Sequence, residues 1–443
     1  MKSRGCMKLE DVLRSNIKLS LLLLLLNVSS LTAANYGDCL NVQSYRGVRK
    51  IRNGHKVCAK GDKYDDDGRK CTLCFNGHAL NRVCYQEHGW IDRVVNKPGK
   101  SKHTICYPED GYPYHKGESQ ECPEETCTAE NCQLPDCFCH GDSPHIDQSE
   151  RPMFVVITYD DGVYEVNFDT QLRPFYVDNE YEIYNPNGCG IKTTLFVSMD
   201  YTQSDKVKAM YDAGNEIAGH TADHGLPSGE DEEDYKDTID AIDGMKRILL
   251  EETGDSRLVN SILGFRAPYL RVAHEQQFKA LRDLGFVYET SLISRRLARE
   301  GRPLWPYTLD YKANKCDSAY CNHYCYKGFW EIPLNVWKCS NGYYSAMLDY
   351  CCVGQNSSTA TVDDWFDYFL HNFELSYDSK TPLSFYTHTH VFDFYPNAFP
   401  AFIRWLQHIS RSYKDVWFVT MQQLLRWMKD PLTHKQMLKK WQW

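Results

Sequence analysis

The run Met153-Phe-Val-Val-Ile-Thr-Tyr159 restricts the fold of this chain more than any other feature. It is apolar without alternation, which suits a strand covered on both faces, as in parallel sheets flanked by helices. Such a sheet requires strands and helices in turn, and the sequence supplies them. Thr193–Val197, Glu216–Ala218, Ile262–Phe265, Phe286–Tyr288, Phe329–Ile332, Leu383–Tyr386 and Val416–Val419 read as further strands. Ser204 can cap a helix that Gly214 ends. Asp231–Glu252 carries Tyr235, Ile239, Ile242, Ile248 and Leu249 at helical spacing. Glu275–Leu284, Val362–Phe373 and Phe399–Ser410 also read as helices. Right-handed crossovers would join the strands in parallel, and their number fits a closed or nearly closed barrel.

In such barrels chemistry collects at the C-terminal ends of the strands. Four polar motifs stand there: Tyr159-Asp160-Asp161-Gly162, His220-Thr-Ala-Asp-His224, Arg266-Ala-Pro-Tyr269 and Tyr386-Thr-His388. Taken singly, the first is also a common polar turn, and a lone histidine is also a common core residue. Together they bring distant positions to one mouth, able to hold a divalent metal and to leave one base and one acid free for hydrolysis. His220 and His224 are four apart, so one helical turn would aim both rings the same way. This is the spacing of the HExxH metalloproteases, with Thr221 in place of the glutamate. Asp161 supplies a third, anionic ligand. Two imidazoles and a carboxylate suit Zn2+, and also Co2+, Mn2+ or Fe2+. Asp160 then remains as the base, kept ionised by the cation and oriented by Arg266. His388 is the candidate general acid for a departing nitrogen. His390 competes for that role, because an extended chain would turn both rings to one face.

At 443 residues the chain exceeds one ordinary core. Its 42% hydrophobic and 25% charged residues are those of a globular protein, and a net charge of -9 argues against a nucleic-acid groove. Lys2, Arg4, Lys8, Arg14 and Lys18 precede the apolar run Leu19–Leu26 and the small residues Thr32-Ala33-Ala34. Residues 1–34 therefore read as a secretory signal, with a signal anchor as the alternative. No later segment reads as a membrane span. Nineteen cysteines, eighteen without Cys6, point to disulfide pairing in an exported chain. Residues 36–106 read as a small cysteine-rich module that binds carbohydrate or acts as a spacer. Within it, Cys71-Thr-Leu-Cys74 has the spacing of half a zinc site or of a redox pair as well as of structural disulfides, and Gly61–Arg69 is a calcium loop or a solvated turn. Residues 107–150 read as a crosslinked linker, 151–430 as the large domain and 431–443 as a tail. Asn356-Ser357-Ser358 is a glycosylation sequon.

The same motifs carry a resemblance. From about Met153 to Met428 the chain resembles the NodB-homology polysaccharide deacetylases, carbohydrate esterase family 4. Their T-F-D-D appears as Thr158-Tyr159-Asp160-Asp161, their H-[ST]-x-x-H as His220–His224, and their R-x-P-[YF] as Arg266–Tyr269. The final L-x-x-H appears as Phe385-Tyr386-Thr387-His388. Asn215–Ala218, Pro303–Tyr307, Trp330–Pro333 and Leu134–Cys139 look like the arthropod and nematode chitin deacetylases in particular. The resemblance implies a distorted (β/α) barrel of the NodB type behind a small disulfide-rich module. It implies Asp160 as base, zinc on Asp161, His220 and His224, Arg266 orienting the base, and His388 as acid. Pro268 and Tyr269 would face the substrate, with the Tyr269 N–H at the oxyanion. Where the family's fourth motif has an aspartate buttressing the acid or the arginine, this chain has Glu289, one methylene longer. Trp305 and Trp330 would line the acetyl pocket or a sugar subsite, or else pack in the core. The implied function is that of a secreted metal-dependent hydrolase removing N-acetyl groups from chitin or chito-oligosaccharides in a chitinous extracellular matrix. Its partner would be chitin or a related N-acetylglucosamine polymer, with no nucleic acid and no membrane after signal cleavage. The alternatives are a chitin-binding matrix protein of weak or no activity, and an enzyme for another N-acetylated glycan.

Overall fold

Strand β1, Met153–Asp161, is buried from Met153 to Asp160, as its unbroken apolar run requires. The strands that follow are β2 (Thr194–Val197), β3 (Glu216–Gly219), β4 (Gly264–Phe265), β5 (Tyr288–Glu289), β6 (Tyr307–Thr308), β7 (Trp330–Glu331), β8 (Leu383–Thr387) and β9 (Val416–Phe418). They form one sheet of nine strands in the order β6-β7-β5-β4-β3-β2-β1-β8, with β9 also pairing β1. Every pairing is parallel except β6 with β7. β9 pairs Met153–Val155, β8 pairs Val155–Tyr159 and β2 pairs Thr158–Asp161, so β1 is engaged along its whole length. Past β7 the closure onto β8 is made by side chains. Tyr386 OH donates to the Pro333 carbonyl (2.8 Å), and the Trp337 indole N–H to the Ser384 carbonyl (2.9 Å). The result is a distorted (β/α) barrel.

The computed structural model describes residues 121–226, 232–313, 317 and 324–441, and, as backbone alone, six short strands between residues 50 and 108. The chain divides into two compact units, 1–116 and 117–442. In the first, Lys50–Arg52 pairs with His55–Val57, Cys74–Phe75 with His78–Ala79, and Trp90–Val95 with His103–Pro108, all antiparallel. The secretory signal at 1–34 and the Gly61–Arg69 loop lie outside the described residues. No helix among the described residues is long and apolar enough to cross a membrane.

Helices α1 (Ser204–Asp212), α2 (Glu232–Thr253), α3 (His274–Asp283), α4 (Val362–Tyr377), α5 (Ala398–Ser412), α6 (Met421–Lys429) and α7 (His434–Lys440) pack around the sheet. Thr361 and Thr420 cap α4 and α6 by accepting the N–H of Asp364 and Gln423, whose side chains return the bond. Ser204 is no cap: α1 is preceded by Gln203, and the Ser204 hydroxyl donates instead to Glu252 of α2 (2.6 Å). Gly214, at φ 90°, does follow the end of α1.

Most tryptophans of the described residues go into the core. Trp330, Trp337, Trp365, Trp405, Trp417 and Trp427 are all under 2% exposed, and the buried Trp305 stacks on Trp427 at 5.8 Å. Trp305 and Trp330 are thus both packed in the core. Residues 121–139, within the stretch read as a linker, are built into the larger unit. Cys122 bridges Cys325 across 203 positions, and Cys127–Cys139 and Cys132–Cys137 crosslink the segment internally. The Thr308 N–H donates to the Phe138 carbonyl (2.9 Å), and the Phe138 N–H to Thr308 Oγ1 (3.0 Å), which docks the segment on β6 at the sheet edge. Cys339 bridges Cys351, and Cys189 is also disulfide-bonded. Among the described residues the pairing is incomplete: Cys352, next to the bridged Cys351, is a free thiol.

Candidate metal centre and active site

Neighbouring side chains on a strand point to opposite faces, so strand geometry alone separates Asp160 from Asp161. Asp161 adopts φ 78°, the left-handed region that non-glycine residues rarely enter. The two carboxylates consequently serve different partners. Asp160 is buried and lies 2.5 Å from Arg266 Nη1. Arg266 is wholly buried; Nη1 also donates to Thr158 Oγ1 (3.0 Å) and Nε to the Thr290 carbonyl (3.1 Å). Its guanidinium lies 3.9 Å from the centre of the Phe196 ring, so the arginine is fixed from several sides.

Asp161 Oδ1 lies 3.0 Å from His224 Nε2 and 3.5 Å from His220 Nε2. That oxygen is buried, and neither nitrogen is aligned to hydrogen-bond to it. His220 Nδ1 faces the Arg266 carbonyl at 2.8 Å. A carbonyl only accepts, so Nδ1 carries the proton and Nε2 offers its lone pair to the cluster. The ligand atoms of Asp161, His220 and His224 all lie within 4.8 Å of one another. An orphaned buried carboxylate oxygen beside a lone pair held in place fits a divalent cation. The spacing does not arise from a helix, however. Thr221 (φ 65°) and His224 (φ 54°) are both left-handed, and the Gly225 N–H donates to Thr221 Oγ1 (3.1 Å), so a tight turn aims the rings.

On the far side of Asp161, His388 Nε2 lies 3.6 Å from Oδ2, while Nδ1 lies 3.1 Å from Asp349 Oδ2. Burial lowers the His388 pKa, but the Asp349 bond and the carboxylates of Asp349, Asp160 and Asp161 raise it to about 9. Asp349 was missed in the sequence. It sits in the helical turn Leu348–Tyr350, inside the loop closed by Cys339–Cys351. Its only local sign was an acid two positions before a crosslinked cysteine. The His390 ring stacks on His388 at 4.7 Å.

Tyr269 has φ 56°; the residue is 79% exposed, and its ring meets His224 edge-on at 4.5 Å. Among the described residues no hydrogen bond takes its N–H. Pro268 is buried and opens this turn. Glu289 does not buttress the acid. It is fully buried and accepts from Gln277 Nε2 (3.0 Å) and the Ser291 N–H (2.9 Å). Its influence on Arg266 passes through the backbone it fixes: Ser291 Oγ accepts the Ala267 N–H (2.7 Å), and the Thr290 carbonyl accepts Arg266 Nε. Burial raises the pKa of Glu289, and that of its neighbour Glu331 still more clearly. Asn356 stands in an exposed turn, with Oδ1 accepting the Ser358 N–H (3.0 Å).

The polysaccharide deacetylase family model matches residues 147–288, which hold Asp160, Asp161, His220, His224 and Arg266. The chain carries a polysaccharide deacetylase domain. Two Bombyx mori proteins are similar to it. Chitin deacetylase 1 is 31% identical over 334 residues, covering 69% of this chain and 57% of its own length. Chitin deacetylase 8 is 28% identical over 311 residues, 69% of this chain and 78% of its own. Among solved structures, Puue allantoinase superposes with a TM-score of 0.42 at 16% identity, over 66% of this chain and 96% of that one, too loosely to bear on the function of this deacetylase domain.

Proposed function

We propose that the chain is a secreted metal-dependent hydrolase that removes N-acetyl groups from chitin or chito-oligosaccharides and releases acetate. One arrangement carries the reading. Asp161, His220 and His224 converge within 4.8 Å, with Asp160 held by Arg266 on one side and His388 held by Asp349 on the other. The three converging residues would hold Zn2+, or Co2+, Mn2+ or Fe2+. When bound, the cation supplies a Lewis acid for the acetyl carbonyl and for water.

The remaining work falls to the chain's own residues. Asp160, fixed by Arg266, takes the proton of the attacking water. The unengaged Tyr269 N–H donates to the carbonyl oxygen as it gains charge. His388 passes its proton to the sugar nitrogen as the C–N bond breaks, leaving acetate and a free amine. Glu289 keeps the Thr290-Ser291 segment, and through it Arg266, in place.

The named relatives support chitin as the substrate, and the basic-then-apolar start and the disulfides support export to an extracellular, chitinous setting. The exposed Asn356 would carry a glycan there. The test is acetate release from a soluble chito-oligosaccharide, with and without chelator. Asp160→Asn should keep the metal and lose turnover; turnover at the wild-type rate in that variant would refute the assignment. Binding to chitin with no acetate released would favour a matrix protein instead.

A further inference from the structure

The donor set of the metal centre occurs twice. Asp349, His388 and His390 again offer one carboxylate and two imidazoles, with ligand atoms all within 4.8 Å of one another. Asp349 is oriented in advance: Oδ1 accepts from Thr387 Oγ1 (3.0 Å) and from the His388 N–H (3.4 Å), which leaves Oδ2 for His388 Nδ1. The Cys339–Cys351 bridge closes the loop that carries it. The His390 ring stacks on that of His388, with centroids 4.7 Å apart, so both imidazoles stand beside the Asp349 carboxylate. Two tetrahedral ligands on zinc, each at about 2.0–2.2 Å, stand roughly 3.3 Å apart. The 3.1 Å between His388 Nδ1 and Asp349 Oδ2 is close to that separation.

We propose that Asp349, His388 and His390 form a second, weaker divalent-cation site, and that filling it inhibits hydrolysis. The inhibitory part rests on the reading of His388 as the acid. A cation between Nδ1 and Asp349 takes the place of the hydrogen on Nδ1. His388 is then a neutral ring with a single N–H and is a poor donor to the leaving nitrogen. The site is weaker because a cation at Asp161 lies on the other side of the same imidazole and repels a second one.

The test is equilibrium dialysis of the full chain against zinc, run beside acetate release over the same concentrations. The wild type should bind one equivalent tightly and one more at higher zinc. Acetate release should rise with the first and fall roughly 10²-fold as the second fills, the size of a lost general acid. His390→Ala and His390→Gln should bind one equivalent fewer and stay active at high zinc. Asp161→Asn should lose the tight equivalent and keep the weak one. Equal stoichiometry in the wild type and both His390 variants, or equal inhibition of all three, would overturn the proposal. The expected stoichiometries with no acetate released at any zinc concentration would sustain the second site and refute the hydrolase reading.

Discussion

His388 Nδ1 lies 3.1 Å from Asp349 Oδ2, and this contact favours the protonated imidazole that the proposed general acid needs. Burial pulls the His388 pKa down, and the Asp349 bond and the surrounding carboxylates lift it to about 9. Wild-type activity should therefore hold on the alkaline side until the pH nears that value. In Asp349→Asn the alkaline fall should move to lower pH, with kcat reduced about 10²-fold and KM little changed. Superimposable alkaline limbs in the two pH profiles would refute the role. The same pair contributes stability that is complete below about pH 6.5, the ordinary histidine value, and is lost as pH rises through about 9, because the folded state holds the proton more tightly.

Arg266 and Asp160 form a fully buried ion pair. Arg266→Ala should destabilise the domain by about 3–5 kcal/mol, because it strands a carboxylate out of water. Arg266→Lys should recover only part of this, since a single ammonium cannot reach Asp160 and the Thr290 carbonyl as the planar guanidinium does. Urea midpoints of the three proteins check the order.

A cation at Asp161, His220 and His224 would bind only the folded chain, which alone brings the three together. At a hundredfold excess over its Kd it should contribute about 2.7 kcal/mol, which chelator should remove as a fall in Tm. In His224→Ala, where one of the three ligands is gone, chelator should leave Tm almost unmoved.

Cys122–Cys325 closes a loop spanning 203 positions. Cys325→Ser should cost about 2–5 kcal/mol, read as a shift in denaturant midpoint under non-reducing conditions.

Most of the site was legible because its residues follow strands whose apolar runs are unmistakable: Asp160 after Met153–Tyr159, His388 after Leu383–Tyr386. What was illegible depends on long-range contact or on backbone conformation. Asp349 lies 39 positions from His388, in a loop with no periodicity, and only the fold joins them. Glu289 occupied the motif position where a buttress was expected, yet its carboxylate turns to Gln277 and Ser291. The four-residue spacing of His220 and His224 suggested a helix, but left-handed residues at Thr221 and His224 reach the same convergence by a turn. β6 is two residues long and antiparallel, too short for any pattern to announce it.

The docking of residues 122–139 on β6 bears on where the catalytic region can be cut free. The family match begins at residue 147, after Phe138 and Cys122, and so marks homology rather than an independently folding fragment. A recombinant piece started there would lose the crosslink to Cys325 and bare the outer rim of β6, where unpaired backbone groups invite strand-to-strand aggregation. A fragment that keeps both the Cys122–Cys325 crosslink and the Phe138 contact to β6 has to start upstream of Cys122.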